Sequence, residues 1–347
     1  MKDLNYIQID ENSRTPKYKQ IVDSFIYNIS IGNLKMNQKI PSINVFSEEF
    51  YLSRDTVEKA YRILKERKII SSIRGKGFYI TRTKLLSKTN VLFLINKLST
   101  YKMKMYNSFV SQMGDNAHTD LHIYHCDKGV FLNLLNKNLN AYDYYVIMPH
   151  FRTEGSKHLS SNDEIEEAIN QISKDKLIIL DNKVDVQGDI IMIYQDFEND
   201  IYNALKQGLE KIKTYNRMIL AYPENSHYPY PRRILHGFRK FCVEYSIPFD
   251  IINQIDEELI LKDKDLFITI EESDLVNLVK LSRDRNKKIS EDLGIISYND
   301  TPLKELLGIT VISTDFHEMG KSAAEMVLKH KKGITKNPFL FIDRNSI

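Results

Sequence analysis

The chain has 347 residues, of which 42% are hydrophobic and 27% are charged. This composition is globular, it supplies two or three separate cores, and it excludes a disordered chain. The first residues show no basic flank before an apolar run, and no apolar stretch approaches 18 residues, so we expect a cytoplasmic protein without a membrane span. Cys126 and Cys242 lack disulfide or zinc spacing, which predicts neither a disulfide framework nor a metal site.

The charge is distributed unevenly along the chain. Residues 1–88 hold 17 Lys/Arg against 9 Asp/Glu, a net charge of +8, whereas the remainder holds 32 against 37, a net charge of −5. A basic domain attracts a polyanion and an acidic one is repelled by it. The charge therefore assigns a nucleic-acid role to the N-terminal part, with a randomly basic solvated face as the alternative.

The N-terminal pattern is helical. From Pro16 apolar residues recur at i, i+3, i+4 and i+7 until Gly32 ends the helix. Ser42 is a candidate N-cap for a second, short helix, and Ser53 opens a third that runs to about Lys68. Two short helices joined by a tight turn, the second with a polar first turn, predict a helix-turn-helix. The third helix is expected to bury one stripe, Val57, Ala60, Tyr61 and Leu64.

A predicted hairpin follows these helices. Two β-rich runs, 69–73 and 78–81, are joined by Arg74-Gly75-Lys76-Gly77, whose glycines permit positive φ. The segment therefore predicts a wing with a basic tip. We divide the chain into a winged-helix domain over residues 1–82, a polar linker over 83–89 and a larger domain over 90–347.

The larger domain predicts parallel sheets. Short apolar runs alternate with helical stretches, as expected for buried parallel strands joined by crossover helices. Ten strands are more than one typical sheet contains, so we expect two lobes, each built on a parallel sheet, with a cleft between them. The fold class is therefore α/β, with a winged helix-turn-helix preceding the two-lobed domain. The runs are 91–95, 121–124, 144–148, 177–180, 190–193, 218–221, 249–252, 266–270, 294–297 and 309–312.

The two parts resemble two known families. Residues 16–80 resemble the winged helix of GntR-family regulators through Tyr18-x-Gln20-Ile21, Gly32, Ile40-Pro41-Ser42, Ser53-Arg54-x-Thr56-Val57 and Gly75-x-Gly77. The remainder resembles the periplasmic-binding-protein-like sensor domain of the lac repressor family through 177–182, Gln195-Asp196, Gly237-Phe238, 294–300, 309–328 and the terminal FIDRNSI. The combination resembles the arabinose-repressor type of GntR regulator.

The GntR resemblance implies a set of DNA-binding residues. The first turn of the recognition helix would face the major groove, where Arg54 would fork onto a guanine. The alternative for Arg54 is a solvated arginine at a helix start. Fatty-acid-responsive members have an arginine in place of Asn44 and another in place of Glu58, so their operator sequence is not transferred. The implied set is Ser42, Asn44, Ser53, Arg54, Asp55, Thr56, Lys59, Arg74, Lys76 and Gly77.

The lac-repressor resemblance likewise implies effector-binding residues. The family has an arginine three residues before the glycine-phenylalanine pair, but that position is Ile234, so Arg232 or Arg233 is the candidate anchor, against a surface role for both. Asn299 is a candidate ligand contact, or it forms a turn before Pro302. The implied set is Ser99, Tyr106, Asp181, Arg232, Arg233, Glu271, Asn299 and Phe316.

Together these features predict a non-enzymatic transcription regulator without cofactor or metal. We expect a homodimer on double-stranded operator DNA, repressing carbohydrate-utilisation genes until a monosaccharide or derivative releases it. One alternative is a GntR regulator with an enzyme-derived, pyridoxal-phosphate-binding sensor domain, although no phosphate-cup motif is visible. Another is a periplasmic sugar receptor, against which the winged helix and the lack of a signal peptide speak.

Overall fold

The computed structural model describes residues 7, 9–10, 13, 15–73, 75–81, 89–224 and 226–347. The chain divides into two units, residues 1–88 and 89–347. The linker predicted over 83–89 lies outside the described residues except for Thr89. That residue already pairs with Ala117 in the first sheet of the second unit, so the predicted linker extends one residue too far. Among the described residues, no helix combines the length and hydropathy that a membrane span requires.

The first unit has three helices and a small antiparallel sheet in the strand order β1-β3-β2. Its elements in chain order are α1 (Lys17–Ser30), β1 (Lys39–Ile40), α2 (Ile43–Glu49), α3 (Arg54–Glu66), β2 (Ile70–Ile73) and β3 (Gly77–Ile80). The predicted helix-turn-helix and hairpin are therefore confirmed, although α3 ends before Lys68.

Local capping explains where α2 and α3 begin. The Ser42 hydroxyl accepts the N–H of Val45 over 3.3 Å, and the Ser53 hydroxyl accepts that of Thr56 over 3.3 Å. Each cap satisfies one of the N–H groups that a helix start leaves without a partner. Tyr61 of α3 is buried and donates to the carbonyl oxygen of Pro41 over 2.9 Å, which fixes α3 against the turn before α2.

The second unit alternates strands and helices. Its strands are β4 (Thr89–Ile95), β5 (Ala117–Ile123), β6 (Tyr144–Ile147), β7 (Phe151–Arg152), β8 (His158–Leu159), β9 (Leu177–Asp181), β10 (Ile191–Tyr194), β11 (Arg217–Ala221), β12 (Phe249–Ile252), β13 (Asp265–Thr269), β14 (Leu293–Tyr298), β15 (Thr310–Thr314), β16 (Gly333–Lys336) and β17 (Phe339–Ile342). Its α-helices are α4 (Thr100–Met113), α5 (Lys128–Asn138), α6 (Asp163–Asn170), α7 (Phe197–Gln207), α8 (Leu209–Ile212), α9 (Arg233–Glu244), α10 (Glu272–Asp284), α11 (Pro302–Leu306) and α12 (Phe316–Leu328).

Two six-stranded sheets define a first and a second lobe. The first sheet has the order β16-β10-β9-β6-β4-β5 and is parallel throughout. The second has the order β12-β11-β13-β14-β15-β17, with only β17 antiparallel. Each of the ten predicted apolar runs lies in a strand of these sheets and extends at most one residue beyond it, which confirms the two-lobed α/β fold. β16 and β17 were not predicted, because they are short edge strands with no fully buried residue.

The chain passes between the lobes at three crossovers. They follow β10 at Gln195 and Asp196, β15 at Asp315, and β16 at Asn337 and Pro338. As a result, α7 packs on α9 in the second lobe and α12 packs on α4 in the first.

Two glycines allow these helix pairs to approach closely. A Cβ on Gly237 of α9 would lie 2.1 Å from the carbonyl oxygen of Glu198, and one on Gly320 of α12 would lie 2.1 Å from that of Met105. No side chain fits at such distances, so both positions require glycine.

Candidate nucleic-acid interface and interlobe cleft

The first turn of α3 presents polar side chains on the surface of the first unit. Ser53 caps the helix, and its hydroxyl lies 2.7 Å from that of Thr56. Arg54 and Asp55 follow the cap, and both are exposed. The buried stripe of the helix, Val57, Ala60, Tyr61 and Leu64, is as predicted. Because that stripe anchors α3 in the core, its opposite face and its first turn remain open to a partner.

The other predicted DNA-binding residues lie on α2, α3 and the hairpin. Ser42 and Asn44 are exposed at the start of α2. Lys59 places its Nζ 3.9 Å from the centre of the Tyr18 ring, a cation–π contact that holds the ammonium group at the surface of α3. Arg74 lies outside the described residues.

The hairpin turn needs glycine. Gly75 has a φ of 75° and Gly77 a φ of 104°, both in the region that side chains disfavour. A Cβ on Gly77 would also lie 3.1 Å from Cε of Lys39. Lys76 sits between the two glycines and is exposed. The tip therefore carries a cation on a tight turn.

In the second unit, a cleft forms where the carboxyl ends of the two parallel sheets meet, which is the usual ligand position in open α/β sheets. It contains two cavities. The floor cavity, of about 40 Å³, is lined from both lobes, for example by Asp181 at the end of β9 and Asn299 directly after β14. The outer cavity, of about 330 Å³, is lined by the start of α4 from the first lobe and by Glu271 and its neighbours from the second.

A buried polar network forms the floor. Asp181 accepts a 2.8 Å hydrogen bond from Nε2 of His150 and another from the side-chain amide of Gln195. The ammonium group of Lys102 lies 3.8 Å from Asp181 Oδ2, and it donates to the side-chain oxygen of Asn96. Burial alone would raise the pKa of Asp181, but these neighbours outweigh it and hold the pKa well below its usual range.

Two histidines extend this network with fixed donor directions. Because Asp181 is ionised, His150 must carry its proton on Nε2 and accept at Nδ1. Nδ1 of His150 lies 2.8 Å from Nε2 of His158, which is then the donor. Burial lowers the pKa of both histidines, so both are neutral at pH 7. The chain of bonds therefore runs from His158 to the carboxylate.

A loop of the second lobe contacts the first lobe. It spans residues 222–231, of which 222–224 and 226–231 are described. Lys97 donates to the Tyr230 hydroxyl over 3.1 Å and lies 4.6 Å from the centre of that ring. Nδ1 of His125 lies 3.1 Å from the Tyr228 hydroxyl. These contacts give the outer cavity an aromatic wall, a surface that suits the apolar face of a sugar ring.

Two buried polar atoms in the cleft have no hydrogen-bond partner among the described residues. They are the Tyr298 hydroxyl and the Asn299 side-chain oxygen, on residues 3% and 8% exposed. Tyr298 lines both cavities and Asn299 lines the floor cavity. A buried polar group without a partner costs about 1–3 kcal/mol, and a bound ligand can recover that energy.

The structure brings most of the predicted effector residues to the cleft. Asp181, Asn299 and Phe316 line the floor cavity. Ser99 and Glu271 line the outer cavity, where Ser99 caps α4 and Glu271 accepts a bond from Ser226 over 2.9 Å.

Tyr106 lines neither cavity. It lies almost two turns beyond Ser99 in α4, packs edge-on against Phe93, and donates to the carbonyl oxygen of Thr119 over 3.3 Å. It is placed there because a helix advances about 1.5 Å per residue, which carries Tyr106 along the sheet and away from the strand ends.

The two candidate anchoring arginines also lie outside these cavities. Arg233 pairs with Asp196 at the first crossover over 3.2 Å. Arg232 is exposed and borders a separate pocket of about 60 Å³ with His158 and Tyr222. Neither Arg233, the first residue of α9, nor Arg232, which precedes it, lines the floor or the outer cavity.

Several residues of the cleft were not predicted from the sequence. Gln195 directly follows β10, and Lys97 and His150 lie two and three residues beyond the ends of β4 and β6, so their position at strand ends could have identified them. Lys102 and Lys304 lie inside helices, where nothing in the sequence marks a charged side chain as buried.

Two family models match the chain. Residues 17–80 match the model described as bacterial regulatory proteins, gntR family, and residues 211–339 match a periplasmic binding protein-like domain. These matches cover the helix-turn-helix with its hairpin and most of the second lobe. An enzyme-derived, pyridoxal-phosphate-binding sensor domain is not supported, because the second unit has the two-lobed periplasmic-binding-protein-like fold.

Curated relatives match a part of the chain. The chain is 37% identical over 75 residues to the HTH-type transcriptional repressor YtrA of Bacillus subtilis, covering 22% of this chain and 58% of that protein. It is 31% identical over 107 residues to the mannosyl-D-glycerate transport/metabolism system repressor MngR of Escherichia coli, covering 31% and 38%. The chain thus spans less than two thirds of the length of these relatives.

Solved structures share the fold of the second unit. A glucose-bound LacI family regulator from Lactobacillus casei superposes with a TM-score of 0.58 at 12% identity, over 75% of this chain and all of that one. The Escherichia coli trehalose repressor gives 0.58 at 12%, over 74% and 100%. The lac repressor dimer bound to operator gives 0.60 at 13%, over 95% and 96%. At these identities the likeness establishes the fold.

Proposed function

We propose that this chain, which joins a helix-turn-helix domain of the gntR family to a periplasmic-binding-protein-like domain, is a DNA-binding transcription regulator controlled by a small polar effector. It acts as a repressor of carbohydrate-utilisation genes, and a monosaccharide or derivative releases it. The relatives named as repressors and the sugar-bound neighbour support this direction of control.

The observation that carries the proposal is the interlobe cleft with its unsatisfied polar atoms. A two-lobed domain whose strand ends enclose the Tyr298 hydroxyl and the Asn299 oxygen, both buried and without partners, is built to receive hydrogen-bonding groups. Aromatic faces at Tyr228 and Tyr230 supply the apolar wall. Such a domain, attached to a basic helix-turn-helix, couples a small ligand to DNA.

On the DNA side, α3 enters the major groove with its first turn. Arg54 is exposed and free to fork onto the O6 and N7 of a guanine, worth about 1–3 kcal/mol of discrimination. Ser53, Asp55 and Thr56 complete the base-facing turn. The rest of the set contacts phosphates or the minor groove: Ser42, Asn44, Lys59, Arg74, Lys76 and Gly77.

On the effector side, the floor network reaches the crossovers. Gln195 of the first crossover donates to Asp181 and accepts from the Thr314 hydroxyl at the end of β15, just before the second. A ligand that contacts Asp181 and Asn299 therefore changes the preferred conformation of the crossover segments, and with it the closure of the two lobes. In a homodimer whose two winged helices must match two half-sites, a small change of closure alters DNA affinity.

Fluorescence anisotropy of the full chain with duplexes from its own genomic neighbourhood tests the proposal. We expect binding whose logarithm falls linearly with the logarithm of salt concentration, because phosphate contacts release counterions. A thermal-shift panel of pentoses, hexoses and their derivatives then identifies ligands that raise the unfolding midpoint, and those ligands should release the duplex. Absence of salt-sensitive binding to every such duplex would refute the proposal.

A further inference from the structure

The outer cavity contains two lysines that form no ion pair with a carboxylate of the described residues. Lys304 of α11 is 2% exposed, and its Nζ donates to the main-chain oxygens of Tyr298 and Asn299, each over 2.7 Å. Lys97 donates to the Tyr230 hydroxyl. Among the described residues, neither ammonium group has a carboxylate within 4.0 Å. Both lysines line the cavity of about 330 Å³.

These ammonium groups retain unused donors. An ammonium group has three N–H bonds, and Lys304 directs two of them to neutral carbonyl oxygens. Burial lowers the pKa of Lys304 to about 8 and also lowers that of Lys97, so burial disfavours the positive charge of both lysines. A ligand with negative charge would offset that penalty.

The start of α4 adds main-chain donors to the same cavity, which Ser99, Thr100 and Tyr101 line. The N–H of Lys102 bonds to the Ser99 hydroxyl over 3.4 Å, whereas those of Thr100 and Tyr101 have no acceptor within the helix. The positive end of a helix dipole attracts anions. The Tyr298 hydroxyl, buried and without a partner, lies on the opposite wall and offers one more donor.

Two carboxylates, Glu271 and Glu272, also line this cavity. Each is already engaged: Glu271 accepts from Ser226 over 2.9 Å and Glu272 accepts from Thr301 over 3.1 Å. The lysines likewise have only neutral hydrogen-bond partners. The main-chain N–H groups at the start of α4 and the Tyr298 hydroxyl add further donors to the lysines, so an anion gains more hydrogen bonds in this cavity than a cation does.

We propose that the effector carries an anionic group, a phosphate or a carboxylate, that binds in the outer cavity between Lys97 and Lys304 at the N-terminus of α4. This inference rests on the proposed function, because it names the class of effector for the same cleft. The remainder of the molecule extends to the floor, where its hydroxyl groups meet Asn299 and Asp181. The effector class is thus a sugar phosphate or a sugar acid.

Inorganic phosphate tests the anion site without knowledge of the sugar. The unfolding midpoint of the full chain is measured against phosphate concentration at constant ionic strength, with chloride as the balancing anion. Saturable stabilisation is expected. The apparent affinity should fall at least tenfold in Lys304→Met and in Lys97→Gln, and change less than twofold in Lys280→Met, an exposed lysine of α10. If Lys304→Met does not fold, Lys97→Gln decides the question.

Three other outcomes would overturn the inference. Phosphate that stabilises no better than chloride contradicts it, as does an equal effect in all four proteins, which is a general salt effect. Acetate in place of phosphate distinguishes the two sources of charge, because a carboxylate site prefers acetate and a phosphate site does not. If a neutral sugar releases the duplex from wild type and Lys304→Met alike, the inference fails while the proposed function stands. A chain that binds no duplex refutes the proposed function and leaves the phosphate measurement valid.

Discussion

The side-chain amide of Asn337 donates a 2.9 Å hydrogen bond to the main-chain oxygen of Asp315. The main-chain N–H of Asn337 donates to the carbonyl oxygen of Tyr194 over 2.8 Å. Asn337 belongs to the third crossover, Asp315 to the second, and Tyr194 is the last residue before the first. One buried residue therefore ties together all three segments about which the lobes must turn.

Replacing Asn337 with alanine removes the side-chain part of this connection. We expect Asn337→Ala to lower the free energy of unfolding of the second unit by about 1 kcal/mol, because one buried hydrogen bond is lost. Urea unfolding of the full chain measures it. The control is Asn133→Ala on the exposed face of α5, which should stay within about 0.5 kcal/mol of wild type. Equal effects of the two changes would show that the crossovers are not held by this amide.

A matched pair of tyrosines tests the unsatisfied groups of the cleft. The Tyr298 hydroxyl has no partner, whereas the Tyr124 hydroxyl donates to the carbonyl oxygen of Met148 and accepts the N–H of His150 over 3.0 Å. Tyr298→Phe should leave the unliganded protein as stable as wild type or more stable, by up to about 1 kcal/mol, and it should weaken effector binding. Tyr124→Phe should destabilise by about 1–3 kcal/mol.

Thermal unfolding with and without effector measures both tyrosine variants. A clear loss of stability in unliganded Tyr298→Phe would mean that its hydroxyl has a structural partner after all.

The buried histidines predict a pH dependence of stability. Burial lowers the pKa of His150 and His158 in the folded chain, whereas each imidazole titrates near 6.5 when unfolded. Below that pH the unfolded chain takes up protons that the folded chain does not, so stability is present above pH 6.5 and falls as the pH decreases. Between pH 7.5 and 5.5 the loss is about 1.4 kcal/mol for His158, whose folded pKa of about 2 lies far below this range, and His150 contributes in the same direction.

His158→Asn should remove about 1.4 kcal/mol of this loss of stability, because that imidazole no longer titrates. Urea unfolding at pH 7.5 and 5.5 compares the variant with wild type and with His236→Asn, whose ring is on the exposed face of α9. An identical pH dependence in all three proteins would contradict the assignment of neutral, buried imidazoles.

Arg54 tests the recognition helix. Arg54→Ala should reduce specific operator affinity by about 5- to 150-fold, because a bidentate contact to guanine contributes about 1–3 kcal/mol. It should leave the thermal transition unchanged, since the side chain is exposed. Arg239→Ala, the same change on the exposed surface of α9, is the control. Fluorescence anisotropy measures the affinity for a specific and for a scrambled duplex. A lost base contact weakens binding to the specific duplex only, whereas a lost positive charge weakens binding to both. Unchanged specific affinity would exclude Arg54 from base recognition.

The winged helix could be predicted almost completely from the sequence. Ser42 and Ser53 as N-caps, the buried stripe of α3 and the glycines of the hairpin all appear as predicted. Each depends on interactions within about four residues, or on the backbone freedom of a single residue, so local sequence contains the necessary information. The apolar runs located the central strands of both sheets for a related reason, since strands buried on both faces must be continuously apolar.

Only the tertiary structure decided which side chains meet in the cleft. Tyr106 and Arg233 were expected there, but Tyr106 packs on Phe93 and Arg233 pairs with Asp196. Each residue turns a helix by about 100°, so a small error in the predicted register moves a side chain to another face of the helix. Lys304 reaches the outer cavity, where nothing in its neighbouring sequence predicts burial. The cleft is assembled from strand ends distant in sequence and from lobes that the chain crosses three times, so its composition follows from packing and not from any local pattern.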